Sequence, residues 1–358
     1  MKVVYREYLN KIKNIEAYIK FLEEEKKIRN MLVHNKNEIC CSGESCSLKM
    51  HHIEKNTRID SRIFNFNSII IGLYGAYENY IENIIVTYLI ELNKLITNYN
   101  ELPNIIIKSN LNLSSELLLE TKKAKYSDID IEDLIINLSG CIKNESNYKL
   151  NYKAFTKHDT NLRCDALNQM FSRIDINGIC KSIINSKVFK EYYAEEKMIG
   201  IEEVASIVSR RSDKENLNTL EMLIEYRNKV AHGSVDETIE LNELENTYVK
   251  FMNVIGKSIY EILNESILKY MVKVNGVKIQ RIYHASGNIL CFNSQNEEVV
   301  KGKSIVVKRS DNSFKRCKIK SIEIDHKEID CVDSSKSEDI GVSLDEKVKS
   351  SYEYYFVD

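Results

Sequence analysis

Near Met271 the spacing of apolar residues changes period, and this change constrains the fold more than any other feature of the chain. Before it, apolar residues recur at three- and four-residue steps, the spacing that lines one face of an α-helix. The segment "REYLNKIKNIEAYIKFLEEEKKIRNML" (Arg6–Leu32) shows the pattern, with Glu and Lys between the apolar positions. It returns in "NLRCDALNQMFSRIDI" (Asn161–Ile176), "KENLNTLEMLIEYRNKVAH" (Lys214–His232) and "NELENTYVKFMNVIGKSIYEILNESILKYM" (Asn242–Met271). Residues 59–97 read as one long, mostly buried helix, because their centre, "IIIGLYGAYENYIENIIVTYLIEL", is apolar nearly all round. A polar interval up to about residue 58 precedes it, and residues 98–160 alternate short helical pieces with Asn- and Ser-rich turns. Asn242 followed by Glu245 reads as a capping box that starts the last helix.

After Met271 the period becomes two. "SIVVKR", "CKIKSIEID" and "SYEYYFVD" read as strands, and "VKIQRIYH" and "ILCF" flank a Gly/Asn turn. About 88 residues of short strands without a long helix imply a small barrel. The expected fold class is α+β and multidomain: a mainly α-helical bundle over residues 1–270, followed by a small C-terminal β-barrel over 271–358.

The composition permits this. A single proline, Pro103, and twelve glycines leave few helix breakers. Hydrophobic residues at 43 % and a net charge of −2 exclude a disordered chain. The N-terminal "MKVVYREYLNKIKN" has no apolar run behind its positive charges, so no secretory signal is expected. The most apolar window, Ser68–Tyr77, is too short to cross a membrane. Nine cysteines without regular spacing suit a reducing compartment, so a cytoplasmic location is expected. In "CCSGESCSLKMHH", Cys40, Cys41, Cys46, His51 and His52 do not follow the spacing of a structural zinc site. Neither a metal nor a cofactor is expected.

The densest chemistry lies in "EYRNKVAHGSVDE" (Glu225–Glu237). Positions four apart share a helix face, so Asn228 and His232 align and Arg227 lies on the adjacent edge. Gly233 is the expected terminator, leaving His232 in the last turn. Histidine exchanges protons near neutral pH, and arginine offers forked donors to phosphate oxygens. Together they suffice for metal-free RNA cleavage, in which a base takes the 2′-OH proton, an acid protonates the leaving 5′ oxygen and a cation holds the charge. An R-x-x-x-x-H spacing is very common, however, and taken alone it favours a merely cationic helix end.

"YRNKVAHG" resembles the motif of the HEPN superfamily. Two further segments resemble its RiboL-PSP-HEPN branch: "LYGAYENYIENIIVTYL" (Leu73–Leu89), with Tyr74, Glu78, Tyr88 and Leu89 as framework, and "DTNLRCDALNQMFSRIDI" (Asp159–Ile176). The resemblance implies that Arg227 holds phosphate, that His232 transfers protons and that Asn228 orients one of them. It implies that Glu78 faces the motif, pairing with Arg227 or tuning His232; a purely structural salt bridge to Arg227 is the alternative. It also implies a homodimer with a shared cleft, because the chain holds one motif.

The C-terminal part has lopsided charge. Residues 271–320 hold eleven Lys/Arg against three Asp/Glu, and 321–358 hold four against eleven. Lys308, Arg309, Lys315 and Arg316, with Lys229 beside the motif, are the expected RNA-contacting cations. This part resembles the second domain of elongation factor Tu in "SIEID" and "EDIGVSLDEKVK", yet no G-x-x-x-x-G-K-[ST] string occurs, so the chain is no GTPase. The combined expectation is a toxin or anti-phage ribonuclease acting on RNA, with tRNA or ribosome-bound RNA suggested by the barrel. An antitoxin or sensor protein would restrain it. A non-catalytic HEPN scaffold is the alternative, and a subunit modified by a nucleotidyltransferase is the third reading; Tyr226 beside the motif is the nearby tyrosine, and Tyr248 lies well away on the next helix.

Overall fold

The computed structural model describes residues 1–34, 45–121, 126, 129–234, 238–335 and 337–357, and only the backbone of 29–34 and 45–60. The chain divides into two compact units, the first made of Met1–Leu89 and Leu102–Tyr260, the second of Ile90–Glu101 and Glu261–Asp358.

The first unit is helical. Its frame is α1 (Lys2–His34), the larger part of α2 (Ser45–Leu95) and, later in the chain, the start of a helix at Lys250–Asn275. Helix α2 starts at Ser45, well before residue 59 where the sequence pattern begins it. A buried stripe can be read from apolar spacing, but a polar N-terminal extension gives no such signal. Along its apolar stretch Leu73, Tyr77, Ile81, Ile84, Ile85, Tyr88 and Leu89 are fully buried. Three of the buried tyrosines donate to backbone carbonyls: Tyr8 to Met252 O (2.8 Å), Tyr80 to Gly256 O (2.8 Å) and Tyr77 to Leu162 O (3.1 Å). These bonds satisfy phenols that would otherwise cost free energy to bury. A Cβ at Gly256 would stand 2.2 Å from the Tyr8 ring, so the close approach of these helices requires glycine there.

Between the long helices run α3 (Asn104–Glu120), α4 (Ile131–Ile142), α5 (Tyr152–Phe155), α6 (Cys164–Ser172), α7 (Ile179–Asn185), α8 (Lys187–Lys197), α9 (Ile201–Val208), α10 (Asp213–Asn216) and α11 (Asn218–Ala231). Side chains start several of them: Asp130 caps α4, Ser186 caps α8, and Ser212 with Glu215 forms a capping box on α10. The capping box expected at Asn242 and Glu245 is absent. Helix α12 (Leu241–Glu243) begins at Glu240, Asn242 lies within it, and Glu245 pairs with Lys20 (3.2 Å). A π-helical stretch, Leu244–Val249, leads into α13 (Lys250–Asn275). The competing ion pairs of Glu240 with Lys26 and Arg62 fix the start of α12.

The second unit carries the strands: β1 (Val277–Lys278), β2 (Ile282–Ser286), β3 (Ile289–Asn293), β4 (Val299–Val300), β5 (Ser304–Lys308), β6 (Phe314–Ile324), β7 (Lys327–Ile329), β8 (Cys331–Val332), β9 (Asp339–Leu344) and β10 (Glu353–Phe356). The main sheet runs β1-β10-β5-β6-β9-β3-β2, with β7 on β6, and every pairing is antiparallel. Its ends do not pair with each other, so the small barrel read from the pattern is an open half-barrel. Curvature comes from β6, which pairs β5 over its first half and β9 over its second, with the register shifting between Ile319 and Ser321. The β2–β3 turn has positive φ at Gly287 (58°), the first central position, where glycine is required. One face buries Leu290, Phe292, Ile305, Val307, Ile319, Val342 and Tyr354. The end of α13 joins this sheet: Glu265 accepts the Phe314 N–H (3.2 Å), and Arg316 contacts Met271 Sδ (3.1 Å).

Candidate active site

Helix α11 positions the motif. Leu220, Leu223 and Ile224 form its buried face. The Tyr226 ring meets Phe66 edge-on at 5.7 Å and Tyr248 at 6.3 Å, which fixes the helix in rotation. Arg227 and Asn228 are thereby half-buried, while Lys229 and His232 face solvent. The helix stops at Gly233 (φ +66°), whose N–H donates to Val230 O (3.1 Å) while Ser234 N–H donates to Lys229 O (3.0 Å). This Schellman arrangement satisfies the last carbonyls and makes His232 the final residue before the chain turns away. Among the described residues the His232 imidazole has no hydrogen-bond partner.

Arg227 rests on an aromatic face. Its Cζ lies 5.2 Å from the centroid of the Tyr74 ring, a cation–π distance. Arg227 Nη1 donates to Asn228 Oδ1 (3.2 Å), and the same oxygen accepts from Asn161 Nδ2 (2.8 Å). One guanidinium donor is thus used to hold orientation. Among the described residues no carboxylate pairs with Arg227, so its remaining donors stay available for a ligand.

Tyr74 explains why Glu78 does not reach the arginine. The Tyr74 hydroxyl accepts the Leu162 N–H (3.3 Å) and donates to Glu78 Oε1 (3.0 Å). Burial pushes the phenol well above its ordinary pKa, so it remains a donor. Glu78 sits one turn along α2 from Tyr74, and the phenol intercepts its carboxylate. The second neighbour of Glu78 is His158, whose Nε2 is 3.9 Å from Glu78 and 3.0 Å from Glu82. His158 Nδ1 is 2.9 Å from Thr160 O.

The loop that carries His158, Asn161 and Leu162 is anchored at both ends. Arg173 donates to Phe155 O (2.9 Å) and Lys157 O (2.6 Å). Arg163 forms an ion pair with Glu221, whose other oxygen accepts the Cys164 N–H (3.2 Å). Glu221 belongs to α11, so the loop is tied to the motif helix at two places, Glu221 and Asn228. Sequence reasoning passed over His158 and Asn161 and took Tyr74 only as framework. Their one signal was a short polar cluster, "HDTN", between two helical segments.

The expected RNA-contacting cations differ from Arg227. Lys229 pairs with Glu225 (3.7 Å) and lies 5.6 Å from the Tyr226 centroid. In the half-barrel Lys308 pairs with Glu353 (3.3 Å), Lys315 with Glu346 (2.6 Å) and Arg309 with Glu346 (3.7 Å). Antiparallel pairing of β5 with β10 brings Glu353, from the acidic segment, against Lys308, from the basic one. Only Arg316 of these four has no carboxylate partner among the described residues, and it contacts the Met271 sulfur instead.

Cys40 and Cys41, and the side chains of Cys46, His51 and His52, lie outside the described residues. Among the described residues no group of His, Cys, Asp and Glu is arranged to hold a metal ion, and no helix is long and apolar enough to cross a membrane. No curated protein and no solved structure is significantly similar to the chain. The RiboL-PSP-HEPN family model, however, matches residues 44–265. That span contains α2 with Tyr74 and Glu78, the His158–Leu162 loop and the whole of α11. By this match, which covers more than half of its length, the chain belongs to the RiboL-PSP-HEPN family.

Proposed function

We propose that the chain is a HEPN endoribonuclease that cleaves RNA without metal, leaving 2′,3′-cyclic phosphate and 5′-OH ends. The observation that carries this reading is Arg227, a cation stacked on Tyr74 and steadied by Asn228, with no carboxylate partner among the described residues and with exposed His232 five residues on. In the reaction the 2′ oxygen loses its proton to a base and bonds to phosphorus. The bond from phosphorus to the 5′ oxygen breaks, and an acid protonates that oxygen. Arg227 holds the charge that builds on the phosphoryl oxygens. One histidine cannot be base and acid in the same step, so two copies, each supplying Arg227 and His232, would share one RNA strand.

The half-barrel is the accessory part in this proposal, gripping RNA or a protein partner. The resemblance of its sequence to the second domain of elongation factor Tu makes tRNA or ribosome-bound RNA the target to try first, by analogy only. Contact with phosphate there would require the pairs of Lys308, Arg309 and Lys315 to open. A role as toxin or anti-phage effector, restrained by an antitoxin or sensor, follows from the family resemblance.

A second reading, a non-catalytic HEPN scaffold, draws support from one feature: among the described residues nothing orients His232. The test is cleavage of total RNA in EDTA by wild-type protein and His232→Ala, with end-group analysis. Cyclic-phosphate ends from the wild type alone are the expected result. Equal fragments from both proteins, or ends of another kind, would overturn the proposal, and no cleavage by either would favour the scaffold.

A further inference from the structure

We infer that His158 is a positioning residue that occupies Glu78 and Glu82 and so keeps the Arg227 guanidinium open to phosphate. The inference rests on the reading of Arg227 as the phosphate-holding residue.

The geometry begins with the two acceptors of the imidazole. Nδ1 faces a carbonyl oxygen, Thr160 O at 2.9 Å, and Nε2 faces a carboxylate, Glu82 Oε1 at 3.0 Å. A backbone carbonyl and an ionised carboxylate only accept, so both contacts are satisfied together when both ring nitrogens carry protons, as in an imidazolium. Its side chain is 10 % exposed, which strengthens its attraction for the two carboxylates beside it. Glu78 and Glu82 stand one turn apart on α2, where like charges repel unless a cation lies between them. His158 is that cation.

Among the described residues the surrounding charges leave few substitutes. Lys157, the next cation along the loop, is held by Glu116 (3.3 Å) and Glu120 (3.1 Å). Among the described residues, Tyr126 feels the charges of Asp159, Glu120 and Glu82 as well as that of Lys157. From Glu78 the route to another cation runs past the Tyr74 hydroxyl to Arg227, whose charge Tyr74 already feels. If His158 were neutral, Glu78 would turn along this route and pair with Arg227. The phosphate-holding cation would then enter the reaction already occupied.

The accessibility of Arg227 can be read without any RNA. Phenylglyoxal modifies free guanidinium groups, and the rate at Arg227 is measured by mass spectrometry of the digested full chain. His158→Gln keeps a donor toward Glu82 but removes the charge. It should slow labelling of Arg227 about three- to five-fold, the size of a half-exposed ion pair. The double variant His158→Gln, Glu78→Gln should label at the wild-type rate, because the competing carboxylate is gone. His158→Lys, which restores a cation, should also label normally. Unchanged labelling in His158→Gln, or slow labelling that Glu78→Gln does not relieve, would overturn the inference. Melting temperatures identify any variant that fails to fold, and Glu78→Gln alone then decides: it should label at least as fast as wild type, and slower labelling counts against the inference. Because no substrate is used, failure of the ribonuclease reading would leave these rates untouched.

Discussion

Arg227 and Lys315 are both partly exposed cations, yet the chain surrounds them with opposite chemistry. Arg227 receives an aromatic face and a neutral amide, and the Glu78 carboxylate is engaged by Tyr74 and His158 instead. Lys315 receives a carboxylate directly, Glu346 at 2.6 Å. An aromatic ring steadies a guanidinium without consuming its donors, whereas an ion pair consumes both charge and donors. The difference teaches that local density of positive charge says little about where an anion can bind. What matters is whether the fold supplies each cation with a competing anion.

The largest expected effect tests the Arg227 side of this comparison. Arg227→Ala and His232→Ala should each lower RNA cleavage by about 10²-fold or more while the melting temperature stays near wild type. Lys315→Ala should change cleavage by less than about two-fold, the scale of an exposed ion pair. Equal losses at Arg227 and Lys315 would break the contrast. Next comes the aromatic support. Tyr74→Leu removes the ring and should lower cleavage about ten-fold, a loss of the size of a cation–π contact. Tyr74→Phe keeps the ring but orphans the Leu162 N–H, and should cost about 1–2 kcal/mol of stability in denaturant unfolding.

Asn161→Ala frees Asn228 and should reduce cleavage about three- to five-fold, with little change in melting. The smallest effect sharpens the half-barrel side. Burial pushes the Glu265 carboxyl above its ordinary pKa, so the folded state favours its protonated form. Stability from this group therefore increases as pH falls through its folded pKa, and the charge is a burden above it. Glu265→Gln should raise the melting temperature slightly at neutral pH and lose that advantage under acid conditions.

The parts legible in the sequence were those written in local patterns. The period of Lys214–His232 gave α11, and Gly233 gave its end, because a left-handed residue is a local requirement. The family likeness rested on the segments that the match over residues 44–265 contains. What stayed hidden depends on meetings at long range. Tyr74, Asn161 and Arg227 come from three distant segments, and no period links them. The role of Tyr74 as a screen between Glu78 and Arg227 is a matter of one side chain reaching another first. The cancelled charge of the half-barrel was illegible for the same reason. Counting residues by segment ignores that β10 returns beside β5 and brings Glu353 to Lys308. The early start of α2 at Ser45 was missed because its first turns carry no apolar stripe.

Strand β6 pairs with β5, β7 and β9, and its path changes register once, between Ile319 and Ser321. In kinetic terms it is the natural seed of its unit. The β5–β6 and β6–β7 hairpins close over short loops, whereas β3 must find β9 across nearly fifty residues of chain. The two hairpins should therefore form early and the β3–β9 ladder late. In hydrogen exchange, the amides at the centre of β6 should be the slowest of the half-barrel, and those of β2 at its edge should open first.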